Sequence, residues 1–366
     1  MNPALHSGDM RVVQALELGL DTFGDVTADD ASGGSAAGAA EAIPTPHAQV
    51  IRDVVAEAVL ADEVGVDVFG LGEHHRADYA VSAPEVVLGA IAGQTRRMRL
   101  GTAVTVLSSD DPVRVFQRFS TLDALSGGRA EVILGRGSFT ESFPLFGYEL
   151  RDYERLFEEK LELFSLLRKG GPVTWQGSTR AALEAQPVFP PVENGALRTW
   201  IGAGGSPESV VRAAHYDLPL MLAIIGGDPA RFRQHVELHE RAYRHYERTP
   251  QPIGVHSPGH VADTDAEARE ALWPAYKQHH DQIGSERGWP PMQRADFERE
   301  CDRGSLYVGA PDTVARKIAA TVRTLGLARF DLKYSHGRLS HARMMRGIEL
   351  YGRRVIPMVR ELLAEG

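Results

Sequence analysis

Residues Val66–His75 read VDVFGLGEHH, an apolar run that turns abruptly into Glu73, His74 and His75. A strand of that kind delivers titratable side chains at its carboxyl end, where a parallel α/β barrel builds its active site. An imidazole beside a carboxylate suits proton transfer near neutral pH. Successive strand residues point to opposite faces, so His74 and His75 can share one wall only if the chain has left β geometry there, and they are poorly placed to chelate one metal. His256 and His260 flank Ser257-Pro258-Gly259, which rules out the helical spacing of a zinc pair, and both read as satisfied strand histidines. The single cysteine, Cys301, lies among charges and reads as an incidental thiol. No metal site is expected.

Two further segments carry binding chemistry. GRGSF, from Gly135, combines glycines for close backbone approach with Arg136, whose planar fork suits a phosphate; the spacing allows equally a rim pair between Arg136 and Glu141. AGGSPES, from Ala203, is a strand-to-helix turn in which the amides of Gly204, Gly205 and Ser206 would converge at the positive end of a helix, an anion cradle.

These residues need elements to hold them, and one grammar recurs: a short apolar run, a polar cap, Pro in the first helical turn, then helical periodicity. Asp111-Pro112, Ser206-Pro207, Asp228-Pro229 and Ala310-Pro311 show it, Thr45-Pro46 opens a helix that stops at Gly65, and Ser82 with Glu85 has capping-box spacing. Candidate strands begin at Leu16, Val66, Arg99, Ala130, Arg198, Pro219, Gly254 and Arg329. Apolar on both faces and alternating with helices, they predict a closed (β/α)8 TIM barrel, a single domain over 1–366. Two segments interrupt it: 24–44, rich in Gly, Ala, Ser and Asp, predicted as a mobile loop after the first strand, and 263–305, with aromatics and histidines, predicted as a helical lid after the seventh.

With 366 residues, 43% hydrophobic and 24% charged, the chain has the makeup of an ordinary enzyme. A net charge of −9 with interspersed signs argues against nucleic acid, and the absence of a long apolar window or secretory signal argues against a membrane and for the cytoplasm. A small-molecule substrate is the expectation. A metal-dependent barrel hydrolase, suggested by the histidines, usually needs a His-x-His pair on one strand.

Taken together, ELGLDTFG, GEHH, TAVTVL, DPVRVF, LSGGRAEVILGRG and AGGSPES resemble the bacterial luciferase-like family of flavin-dependent monooxygenases across nearly the whole chain. The resemblance implies that His74 is the catalytic histidine, oriented by Glu73 and His75. It implies a non-prolyl cis peptide at Ala103-Val104 against the flavin ring, and phosphate binding by Arg136 with Gly137 and Ser138. The turn Gly204, Gly205, Ser206 would be a second anchor, although the luciferase Glu-Ser pair there is replaced by two glycines. Gly135 stands where luciferases carry a reactive cysteine, and nothing in the chain speaks for light emission. The implied cofactor is reduced FMN, delivered by a separate NAD(P)H-dependent flavin reductase, with oxygen passed to a hydrophobic or carbonyl-bearing substrate along a wall of Phe23, Leu107 and Phe139. Hydride transfer with the deazaflavin F420 is the alternative, and a non-catalytic flavin-binding protein a further one. The resemblance also implies a homodimer that buries helices beside the second and third strands.

Overall fold

The computed structural model describes residues 16–26, 46–137, 139–193, 195–337 and 339–365. Eight parallel strands form the frame: β1 (Glu17–Thr22), β2 (Val68–Leu71), β3 (Arg99–Thr102), β4 (Glu131–Gly135), β5 (Arg198–Ala203), β6 (Leu220–Ala223), β7 (Ile253–Val261) and β8 (Arg329–Lys333). All eight coincide with the runs expected from sequence. They are ordered β3-β2-β1-β8-β7-β6-β5-β4. A parallel bridge between Leu100 and Ala130, and a short strand Thr105–Val106 paired with Leu134 and Gly135, join the two ends. The chain thus forms a TIM barrel with helices outside.

The foot of the cylinder is charged. Glu17, Arg99, Glu131, Arg198 and Arg329 are each the first residue of a barrel strand. Their contacts join strands that are not neighbours, so they cross the interior: Arg198 grips Glu17 through two bonds of 2.7 Å, Arg99 reaches Glu17 at 3.3 Å, and Arg329 pairs with Glu131. Arg329 also holds Asp331, two residues along β8, at 2.7–2.9 Å. Burial of such charges is tolerated only when they are paired and hydrogen-bonded. Trp200 lies against both Arg198 and Arg329, each 5.3 Å from its ring, and with Ile133, Met221 and Val104 makes an apolar layer.

The helical start signals hold where a side chain reaches the free amides. Asp111 accepts from the Val113 and Arg114 amides at 2.9 and 3.2 Å and caps helix Pro112–Ser126. Asp111→Ala is expected to cost about 1 kcal/mol, the usual value of a lost N-cap, readable as a lower denaturation midpoint. The capping box expected from Ser82 and Glu85 does not form: helix Pro84–Ala92 starts after Ala83, and Glu85 turns to Arg118 on the next helix at 3.1 Å. An ion pair between packed helices here takes the carboxylate that the local motif would have used.

Segment 27–45, most of the expected mobile loop, lies outside the described residues, as does Thr45. Segment 263–305 carries two helices, Asp265–Arg287 and Arg294–Asp302. The sequence reading missed an antiparallel hairpin, Val173–Trp175 with Leu183–Gln186, between β4 and β5. Among the described residues no helix is long and apolar enough to cross a membrane.

Candidate active site

At the end of β2 the chain leaves β geometry. The Gly72 amide still donates to Thr22 of β1 at 2.9 Å, but the Glu73 amide turns to the Val104 carbonyl at 3.3 Å and that of His74 to Val81 at 3.0 Å. This bend separates the two histidines. His75 Nε2 meets Glu73 Oε1 at 3.0 Å, while Glu73 Oε2 accepts from the Val106 amide at 2.9 Å. The carboxylate therefore ties the rim of β2 to the chain beyond β3. Glu73 is thus bonded to His75 and to that amide.

His74 instead stands among rings. Tyr79 stacks on it at 4.4 Å, and Phe23 and Phe139 pack at 4.7 and 5.3 Å between centroids. Burial pushes its pKa down to about 3, with Asp25 opposing and Lys333 assisting that shift. The imidazole is neutral at pH 7 and can accept a hydrogen bond. Phe23 and Phe139, expected in an apolar wall, thus face His74; Leu107 is fully buried in the short turn Leu107–Ser109.

The run TAVTVL is split, because the Ala103–Val104 peptide is cis and divides β3 from Thr105–Val106. Val104 folds over β4 and β5: a Cβ on Gly135 would sit 2.5 Å from a Val104 methyl, and one on Gly202 3.0 Å from the other. The place where luciferases carry a cysteine is thus covered by Val104 and has no room for a side chain.

Arg136 follows β4, and Gly204, Gly205 and Ser206 follow β5, the adjacent strand, at the same end of the barrel. The Arg136 guanidinium pairs with Glu154, not Glu141, and lies 5.2 Å over the Tyr153 ring. Glu154 also reaches Arg212 at 3.4 Å, and Arg212 holds Glu158 at 2.6 Å. Gly137 has φ +81° and its carbonyl accepts from Tyr153 at 3.3 Å; Ser138 lies outside the described residues. Beyond β5, a Cβ on Gly204 would meet nothing within 4 Å, whereas the Gly205 carbonyl is held by His235 at 2.8 Å. Ser206 is occupied as the cap of helix Pro207–His215, accepting from Ser209 and bonding Glu208 at 2.7 Å.

Several groups in the mouth carried no assigned role in the sequence, and His256, expected to be a satisfied strand histidine, does find a partner. Asp21 and His256 pair at 2.7 Å, and Lys333 meets both Asp25 oxygens at 3.1 Å while lying 4.7 Å over the Phe23 ring. The period-two phase of β1 and β8, with Asp21 and Lys333 aligned in register, is the signal that would have found them. Helix Asp265–Arg287 leans over the same mouth: Glu286 pairs with Arg76 at 2.8 Å, Gln282 bonds Asp78 at 3.1 Å, and His279 meets Tyr79 edge-on at 6.4 Å. Among the described residues no three or more His, Cys, Asp or Glu side chains gather as a metal set.

A profile of luciferase-like monooxygenases matches residues 26–329. The 4-hydroxyprotoasukamycin monooxygenase of Streptomyces nodosus subsp. asukaensis is 27% identical over 266 residues, 69% of this chain and 71% of that protein. Other curated relatives are matched over about half their length, 47% and 52%. Among solved structures, monooxygenase RslO1 from Streptomyces bottropensis has a TM-score of 0.79 at 22% identity, covering 93% of this chain and 99% of that one. The oxygenating constituent of 3,6-diketocamphane monooxygenase from Pseudomonas putida, in complex with FMN, gives 0.72 at 21%, covering 93% and 98%. An F420-dependent secondary alcohol dehydrogenase gives 0.71 at 16%, covering 94% and 99%, and these three are likenesses of fold. The profile match runs from just past β1 to the first residue of β8 and so takes in the Glu73–His75 rim, the cis peptide and both strand-end turns: the chain belongs to the luciferase-like monooxygenase family.

Proposed function

We propose that this chain is an FMN-dependent monooxygenase of the two-component kind, in which a separate NAD(P)H-dependent flavin reductase supplies reduced FMN and a small hydrophobic or carbonyl-bearing substrate receives one atom of O2. The observation that carries this reading is the alignment, on the ends of β3, β4 and β5, of the cis Ala103–Val104 bulge, Arg136 and the open turn at Gly204. The residues present fit such a group: Val104 covers Gly135 and Gly202, and a Cβ on Gly204 would meet nothing within 4 Å.

When bound, reduced FMN supplies two electrons and the site at which O2 is activated. Ala103 and Val104 support the ring. Arg136 exchanges Glu154 for the phosphate, with the amides of Gly137, Ser138, Gly204, Gly205 and Ser206 and the positive end of helix Pro207–His215 behind it. His74, neutral in its ring of aromatics, accepts a proton, and Glu73 with His75 fixes the rim on which it stands. Phe23, Tyr79 and Phe139 exclude water, and helix Asp265–Arg287 acts as the lid. The same reading takes the chain as a cytoplasmic homodimer, with Val86 and Leu125, 74% and 64% exposed on the helices after β2 and β3, on the shared face.

Anaerobic titration with reduced FMN and with F420, followed spectrally, tests the cofactor. Saturable binding of reduced FMN, then O2 uptake matched by product, is expected. Anaerobic turnover with F420 and no FMN binding would replace this reading by hydride transfer, and FMN binding without O2 uptake would leave a flavin-storage protein. Arg136→Ala is expected to weaken FMN by about tenfold or more, the worth of a charge-assisted hydrogen bond, and to leave riboflavin unchanged. Equal losses for the two flavins would remove Arg136 from the phosphate site.

A further inference from the structure

The Asp21–His256 pair has no part in that mechanism, yet it stands on the same floor. Strands β1 and β7 are not neighbours, since β8 runs between them, so the 2.7 Å bond from Asp21 to His256 spans β8 inside the barrel. Only Gly70 separates Asp21 from the cis bulge: a Cβ on Gly70 would lie 3.1 Å from that of Asp21 and 3.2 Å from that of Ala103. Phe23 touches two of the imidazoles of the mouth, tilted on His74 at 4.7 Å and stacked on His256 at 5.9 Å with 9° between planes.

The two histidines are set in opposite states. Among the described residues nothing charged is bonded to His74, and burial keeps it neutral. His256 is also buried, which lowers its pKa, but the Asp21 carboxylate, by charge and by hydrogen bond, outweighs that and raises it. The other charged groups facing His256 are Asp331 and Lys333 of β8, the first held by Arg329 and the second by Asp25. Asp21 Oδ1 is buried without a partner, so the imidazolium is what balances this carboxylate. With Nδ1–H fixed on Asp21, Nε2 is the ring nitrogen left to serve a ligand.

Resting on the monooxygenase reading above, we propose that His256 is a catalytic residue, the proton donor of this mouth, and that Asp21 is its positioning residue. Transfer of one atom of O2 to a substrate uses the two electrons of reduced FMN and leaves the second atom as water, whose two protons come overall from the reduced flavin. His256 lends a proton from Nε2 to the departing oxygen and recovers one as the flavin is oxidised, so its charge is restored at each turnover.

The test uses the full chain. In unloaded protein, NMR titration is expected to place the His256 pKa above 6.5, and Asp21→Asn to lower it. With FMN supplied, the wild type loses product formation as pH rises through the His256 pKa, because the donor is then deprotonated. His256→Gln is expected to lower kcat by about 10²-fold, the usual worth of a general acid, with KM little changed and that alkaline limb gone; Asp21→Asn moves the limb to lower pH. Thermal melts and FMN titrations of both variants separate misfolding from loss of the donor, and the wild-type NMR titration needs neither variant. A His256 that titrates below 6.5, or an alkaline limb that survives His256→Gln, overturns the inference. If FMN binds and O2 is consumed while His256 titrates low, the donor role fails alone; if His256 titrates high but FMN does not bind, the monooxygenase reading fails and the donor role falls with it.

Discussion

Replacing His74 by alanine is expected to lower product formation by about 10²- to 10³-fold, the range for a positioned acid or base, while the affinity for FMN changes little. The reason is in its surroundings: the imidazole is packed by Phe23, Tyr79 and Phe139 and stands apart from Arg136 and the Gly204 turn, which hold the opposite end of the proposed cofactor. Because its pKa is pushed down to about 3, the side chain is neutral throughout the working range, and its loss removes an acceptor without removing a charge. The measurement is product formed per O2 consumed, beside an FMN titration. A variant that still couples the two at the wild-type rate would take His74 out of the chemistry.

Arg329→Met is expected to cost about 3–5 kcal/mol of stability, the usual result of removing one partner from a buried ion pair. The methionine fills the stem's space, but Asp331 stays buried without the guanidinium that bonds it, and Glu131 keeps only Arg198, at 3.5 Å. The loss should depend on pH with a defined sign. Carboxyls stranded in a dry interior bind protons more tightly folded than unfolded, so the variant's stability is greatest at low pH and falls as pH rises past the ordinary carboxyl range. Chemical denaturation at pH 5 and pH 8 reads this, and a deficit that is equal or larger at pH 5 would contradict it. Adding Glu131→Gln and Asp331→Asn is expected to recover part of the loss.

Much of this architecture was legible in the sequence because it is local. Eight apolar runs with capped helices between them gave β1 to β8, and the abrupt polarity of Glu73-His74-His75 marked the rim of β2. The turns after β4 and β5 could be placed side by side once the order of strands was assumed. What stayed hidden is what crosses the barrel. Asp21 with His256 and Arg329 with Glu131 are 235 and 198 residues apart, and no spacing rule joins them. Local pairing also gave way where a more distant partner competed: Glu85 chose Arg118 over its own helix end, and Arg136 chose Glu154 over the nearer Glu141. The hairpin between β4 and β5 carries Gly177-Ser178-Thr179 at its turn, but its strands are short and the second is mostly exposed, so it read as part of a connection.

Among the described residues the ionic stopper at the foot closes one end of the cylinder. Glu17, Arg99, Glu131, Arg198 and Arg329 block the amino-terminal side, and Trp200 sits on them, so nothing passes straight through. Whatever seats itself deepest must go in first and come out last, and a second guest queues behind it. That order of arrival and departure follows from the bottom of the barrel, far from where any reaction takes place.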